Sequence, residues 1–319
     1  MHEIALLRDL ADEHTVPASD EVRAAQRSRL EQHIERRRHR RPGRRAWLVP
    51  AAGLAATTLV AAAVFVDLHS GGRSASAAAT ELRRAAAVAA ERAAPRPLKV
   101  GQYHYTRSVN AYLSTSVYGS NSSFSVLVPH LREIWLGPSG GRLVQRSGKA
   151  QFLSARDRQA WIAAGRPSLA ERAHRTSLPP PPALDLTSDP DALYERLEAD
   201  ARGHGEGLHE EMFVLAGDAL RETGATPAQR AALYEVAARI PGVELVGRVV
   251  DSAGRSGIAV AYSSDADHQR HMLIIDPQTS VLLGEKYVAL EGGEFPAGTV
   301  VGSATYLVEG VVNSLSERP

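Results

Sequence analysis

The chain has 319 residues, room for one large or two small domains, and its 44% apolar and 23% charged side chains are ordinary for a globular protein. Net charge is +1, but seven arginines lie within residues 36–45 and residues 69–319 balance 26 basic against 27 acidic side chains, which excludes a broad nucleic-acid footprint. Cysteine is absent, which excludes a disulfide framework, thiol catalysis, thiolate zinc ligation and a lipid-modified cysteine.

Residues 1–35 carry four arginines against eight acids. Within them EIALLRDLADE (3–13) places Ile4, Leu7, Leu10 and Ala11 on one helical face. After a break at Val16-Pro17, Ser19 or Asp20 caps a second short helix reaching about Arg38. So few large apolar side chains cannot build an independent core. Residues 1–45 therefore read as a cytoplasmic tail with short helices, whose Ile4/Leu7/Leu10 edge suits docking on a cytoplasmic protein.

From Ala46 to Val66, 21 residues carry no charge. At a rise of about 1.5 Å per residue they span roughly 31 Å, the thickness of a hydrocarbon core. Pro50 falls in the first turn, where a missing N–H costs least, and Trp47 sits at the boundary, its ring apolar and its N–H wet. Arg36, Arg37, Arg38, Arg40, Arg41, Arg44 and Arg45 come just before. Short arginine-rich segments stay on the cytoplasmic side, so this run sets a single-pass topology in the plasma membrane, N-terminus in and C-terminal domain out. Cleavage is the competing reading: Arg44-Arg45-Ala46-Trp47-Leu48 is loosely of twin-arginine type, and Ala75-Ser76-Ala77 would serve as a cleavage site. A secretory core is only about 7–15 residues long, and the run lies 45 residues into the chain, which favours a retained helix over residues 46–68. The arginines have no aromatic interleaving, so no nucleic-acid partner is expected.

Residues 69–98 read as a Gly/Ser/Ala linker and an Ala-rich helix (78–94), ended by Pro95-Arg96-Pro97. Residues 99–319 form the expected external domain. QYHYTRSVNAYLS (102–114), FSVLVPHLREIWLG (124–137) and RLVQRSGKAQFLS (142–154) read as strands, with Pro129 marking an edge or a bulge. Residues 155–187 read as a long surface connection. Helices then follow: one capped at Ser188 or Asp189 with Pro190 at its first position, one from about Leu208 to Glu222, and one opened by Thr226-Pro227 and stopped at Pro241-Gly242. VELVGRVVD, GIAVAYSS, RHMLIID and VLLGEKYVAL form a four-strand meander, and residues 299–312 add a strand. The class is α+β: an antiparallel, half-barrel-like sheet with a helical layer on one face.

Gly137-Pro138-Ser139-Gly140-Gly141 matches the G-x-S-x-G pattern, but that nucleophile motif needs a helix after the turn and here a strand follows, so a hairpin turn is the better account. His204, Glu206, His209 and Glu210 are interrupted by Gly203, Gly205 and Gly207, which removes the i, i+4 geometry of a zinc helix. Asp265, Asp267, His268 and His271 read as a solvated turn before they read as a cation site. No catalytic residue, metal ligand or cofactor is expected. Tyr103, Tyr105 and Arg107 share one strand face and, with Trp135, are the residues that would line an apolar groove for a ligand or an envelope protein. Packing of these aromatics in a core or interface is the competing account.

The arginine run, the single apolar helix, Gly101-Gln102-Tyr103-His104-Tyr105 and ALYEVAARIPGV (232–243), with Val250-Asp251, Gly254, Gly257, Asp276-Pro277 and Leu283-Gly284-Glu285, resemble an actinobacterial family of uncharacterised single-pass membrane proteins. The architecture also resembles the half-barrels of LolA/RseB-type envelope proteins, which bind lipoproteins or acyl chains; RseB also regulates an anti-sigma factor. The family resemblance implies a single-pass topology and no mechanism; the leading expectation is a membrane-anchored, non-enzymatic binding or sensor protein for an apolar ligand or envelope protein, with inward signalling through residues 1–45. An assembly scaffold acting by protein contacts is the alternative, and a cell-envelope hydrolase the least supported.

Overall fold

The computed structural model describes residues 74–93, 97–118, 122–170, 173–179, 186–204, 207–221 and 224–319, all within one compact unit. The expected cytoplasmic helices, the seven arginines, Trp47 and the apolar helix of residues 46–68 lie outside these residues. Among the described residues no helix is long and apolar enough to cross a membrane.

Among the described residues the domain is α+β, with a ten-stranded, open, antiparallel sheet and five helices. The strands are β1 (Tyr103–Tyr118), β2 (Ser122–Leu127), β3 (His130–Gly137), β4 (Gly140–Ser147), β5 (His174–Leu178), β6 (Glu244–Val250), β7 (Ser256–Ser264), β8 (Gln269–Ile275), β9 (Leu282–Ala289) and β10 (Val300–Val312). Their order is β5-β4-β3-β1-β10-β9-β8-β7-β6, with β2 off this path and paired to β1. The segment read as one strand over 124–137 is two. Proline has no N–H for a ladder, so pairing stops at Val128-Pro129. The break lets Leu127 pair with Leu113 on the outer half of β1 while His130 pairs with Asn110 on its inner half.

Five helices complete the unit: α1 (Ser74–Ala90), α2 (Ala155–Ala163), α3 (Pro190–Ala201), α4 (Leu208–Leu220) and α5 (Pro227–Ala237). Asp189 caps α3 by accepting from the N–H groups of Asp191 and Ala192, with Pro190 at the first position. Thr226 and Gln229 form a reciprocal capping box at the start of α5. The Ala-rich helix expected in the linker belongs to the core instead. Its stripe Ala78, Leu82, Ala85 and Ala86 is buried in the same cluster as α5, because small side chains allow close approach.

The expected surface connection of residues 155–187 holds α2 and β5. Ser154 caps α2 by accepting from Asp157 N. Phe152, Trp161 and Leu169 pack on Phe124, Val126 and Val128 in a small satellite core. Sparse apolar residues hid this element, since two aromatics supply most of its packing. β5 is almost wholly exposed and polar, which blunts a sheet edge.

One face of the sheet carries the helices. Val260, Leu273, Ile275, Leu282, Ala304 and Tyr306 meet residues of α1, α3, α4 and α5 there. Leu82, Leu193, Met212, Phe213 and Leu233 are each 0% exposed, and full burial of each stabilises by roughly 1.5–3 kcal/mol. A cavity between α1 and strands β7 and β8 measures about 10 Å³, room for about one water.

Candidate functional site

Side chains alternate along β1, so Tyr103, Tyr105 and Arg107 point to the face opposite the helices. β3 runs beside it with Trp135 opposite Tyr105 and Glu133 opposite Arg107. Tyr105 and Trp135 are each 1% exposed and meet edge to face, ring centroids 5.1 Å apart. Tyr103, Val308, Val312 and Leu315 pack around them. Three of the four sequence-predicted ligand residues thus come together in one cluster. Arg107 stands at its edge, where its charge helps lower the Glu133 pKa.

The chain after β10, Asn313–Pro319, crosses this cluster as a strap. Trp135 Nε1 donates to the Glu317 carbonyl at 2.8 Å, and Arg142 Nη1 donates to the Leu315 carbonyl at 3.0 Å. Arg318 forks onto Glu133, with Nη2 to Oε2 at 3.1 Å, and its guanidinium lies 5.4 Å from the Trp135 ring centroid. Tyr105 Oη donates to Glu133 Oε1 at 2.8 Å. Glu133 itself is 5% exposed. Burial pushes its carboxyl upward, but the hydrogen bonds from Arg318 and Tyr105 outweigh this and hold it below the usual carboxylate value. Burial and the bond to Glu133 push the Tyr105 phenol up to about 12. At Gly310, opposite Tyr105, an added Cβ would lie 2.7 Å from Pro319 Cγ, so glycine lets the strap lie down.

On the helix side, sequence reasoning missed a second polar cluster. Glu285 of β9 is 0% exposed. Tyr306 Oη donates to its Oε1 at 2.6 Å, and His271 Nε2 lies 3.1 Å from its Oε2. Arg221, at the end of α4, brings Nε within 3.2 Å of Oε1, a charge contact outside hydrogen-bond geometry, and also pairs with Asp218. His271 stacks on Tyr287 at 4.2 Å and takes the Phe213 ring edge-on. Burial raises the Glu285 carboxyl, but the His271 hydrogen bond and the Arg221 charge together leave it below its ordinary value. Burial and the neighbouring Glu285 push the Tyr306 phenol well up. The arrangement is a buried ion pair locking α4 to the sheet.

The other sequence motifs lie apart. Pro138-Ser139 is a two-residue hairpin turn, with Gly137 paired to Gly140 at φ +108. Glu210 accepts from Ser264 Oγ at 2.8 Å, while Glu206 lies outside the described residues. His271 leaves the Asp265–His268 turn to enter β8 and faces Glu285. Among the described residues no three His, Asp or Glu side chains are grouped for a metal ion. The residues that carried the actinobacterial resemblance mostly make turns and packing. Asp251 accepts from the N–H groups of Ala253 and Arg255, Asp276 from that of Gln278, and Tyr234 Oη donates to the Ser280 carbonyl.

No protein-family model matches the chain. No curated protein matches it either. Among solved structures, a chain from the Pseudomonas aeruginosa MucA/MucB complex is similar at 13% identity and a TM-score of 0.24, over 76% of this chain and 59% of that one. This chain therefore spans less than two thirds of that chain's length, and a likeness so slight carries neither fold nor function across.

Proposed function

We propose that this protein is a membrane-tethered binding protein whose sheet domain lies outside the cytoplasm and docks a protein segment on the Tyr105–Trp135 face. The tether rests on sequence: 21 uncharged residues after seven arginines, long enough to cross a bilayer with residues 1–45 left inside. The docking reading rests on one observation. On the Tyr105–Trp135 face an indole N–H and a guanidinium hold two main-chain carbonyls while a buried carboxylate holds an arginine side chain of the same stretch, and that pattern suits a polypeptide.

An apolar small molecule is less well supported, because Leu315 of the strap already packs with Tyr103, Tyr105 and Trp135 where such a molecule would sit. The reading is non-enzymatic, with inward signalling through the Ile4/Leu7/Leu10 edge as its extension. The test is a photo-crosslinker at position 103 of the full chain in native membranes, with proteins and lipids read together by mass spectrometry. A protein adduct is expected. Lipid adducts alone, or none, would refute docking on this face.

A further inference from the structure

We propose that the Asn313–Pro319 strap is a built-in stand-in for the partner, and that the site takes an extended segment of a second protein bearing a leucine-like residue and, three positions on, an arginine. The proposal rests on the docking reading above and names what is docked.

The strap's contacts fall into two kinds. Trp135 and Arg142 hold only carbonyl oxygens, of Glu317 and Leu315, which any polypeptide offers. Identity is read at two positions: Leu315 enters the Tyr105–Trp135–Val312 cluster, and Arg318 meets Glu133 and the Trp135 face. Glu133 gives the second requirement its force. A carboxylate 5% exposed, with Tyr105 already bonded to one oxygen, is costly to leave with Arg107 across the strand pair as its remaining charge and no arginine fork, so an occupant that brings its own cation displaces the strap best. Arginine answers this better than lysine, since its fork reaches both carboxylate oxygens while its plane lies on the indole.

The strap is also shallow. Ser316, Glu317, Arg318 and Pro319 are exposed, and the Arg318 side chain keeps 50% of its surface in solvent. The bond from Asn313 N to the Glu317 carboxylate closes a turn within the strap itself. Such a segment lifts without opening the sheet. It competes from an effective concentration on the order of millimolar, which sets the threshold for a partner.

The experiment uses the full chain in non-ionic detergent and a fluorescent peptide of residues 313–319. A Leu315→Ser/Arg318→Ala chain, its strap released, is expected to bind the peptide at least about tenfold more tightly than the wild type, as removal of a tethered competitor requires. Adding Glu133→Gln to the released chain is expected to abolish binding, as is replacing the peptide's arginine by leucine. Equal binding by released and wild-type chains, or indifference to Glu133→Gln, overturns the proposal. So does a wild-type pair that forms with rising concentration and is dissolved by the peptide, since the occupant is then a second copy. If the double variant fails to fold, wild-type chain is irradiated with a peptide photoreactive at its leucine: adducts at Tyr103, Trp135 or Arg142 support the site, and adducts elsewhere or none refute it. Failure here alongside protein adducts from position 103 in membranes would leave docking intact and remove only the leucine–arginine rule.

Discussion

Glu285→Gln tests the buried network most directly. The substitution keeps the shape and removes the charge, leaving Arg221 facing a neutral amide that Tyr306 and His271 also contact. Breaking a buried ion pair by removing one partner costs about 3–5 kcal/mol. The lower end applies, because the Arg221 side chain keeps 25% exposure and Asp218 remains as a second, half-exposed partner. For a domain of this size, about 3 kcal/mol lowers Tm by roughly 6–12 °C. Thermal unfolding of the full chain in detergent, followed by circular dichroism, measures it. Glu285→Met/Arg221→Met is expected to sit closer to wild type than Glu285→Met alone, since the paired variant leaves no charge stranded, while Tyr306 Oη and His271 Nε2 lose their Glu285 partner equally in both. A fall in Tm below roughly 3 °C for Glu285→Gln, or simple additivity in the paired variants, refutes the view that α4 is locked to the sheet by charge.

Glu133 is held below its ordinary value of 4.5, so the stability its pairing contributes is present above that value and is lost as pH falls through the folded value. Melting temperatures across this acid range should show a decline that Arg318→Leu flattens. Gly284→Ala would place a Cβ 2.5 Å from the Ala304 carbonyl oxygen, and forcing those strands apart is expected to cost about 1–3 kcal/mol in chemical denaturation. Thr226→Ala removes the α5 capping box and should cost about 1 kcal/mol, with hydrogen exchange rising first at Gln229.

The elements that sequence exposed are those whose signals are local. Asp189-Pro190 and Thr226-Pro227 announce helices, and the meander from residue 243 shows as short apolar, valine- and isoleucine-rich runs between turn residues. What stayed hidden depends on long-range contact. β5, with HRTSL, has no apolar pattern and forms because β4 offers it an unpaired edge. The Glu285 cluster draws on residues from 218 to 306, and no spacing rule joins them. His271 was visible as a histidine near acids, yet its partner lies one strand over, 14 residues on. Tyr105 and Trp135 were legible as a shared face. That residues 313–319 lie on it was not, since NSLSERP has one leucine among polar residues and no apolar pattern.

The two polar sites sit on opposite faces of the sheet, and β10 supplies both. Tyr306 opposes Ser108 and faces the helices. Strict alternation would then send Val308, Gly310 and Val312 to that same face. They point the other way because the register skips Leu307, so that Val308 opposes Arg107, Gly310 opposes Tyr105 and Val312 opposes Tyr103. One unpaired residue inverts the pattern for the rest of the strand. Glu309 and Val311 turn with it, and the Glu309 charge is accordingly felt by His104 on the helix side. The bulge thus gives a single strand two apolar faces in series, one with Ala304 and Tyr306 in the helix-covered core, one with Val308 and Val312 beside Trp135. It also delivers the chain to residue 313 on the face where the strap must lie. The Tyr306 hydrogen bond to buried Glu285 anchors one half of β10, and a displaceable strap over residues 313–319 leaves the other, which is the arrangement a docking surface needs.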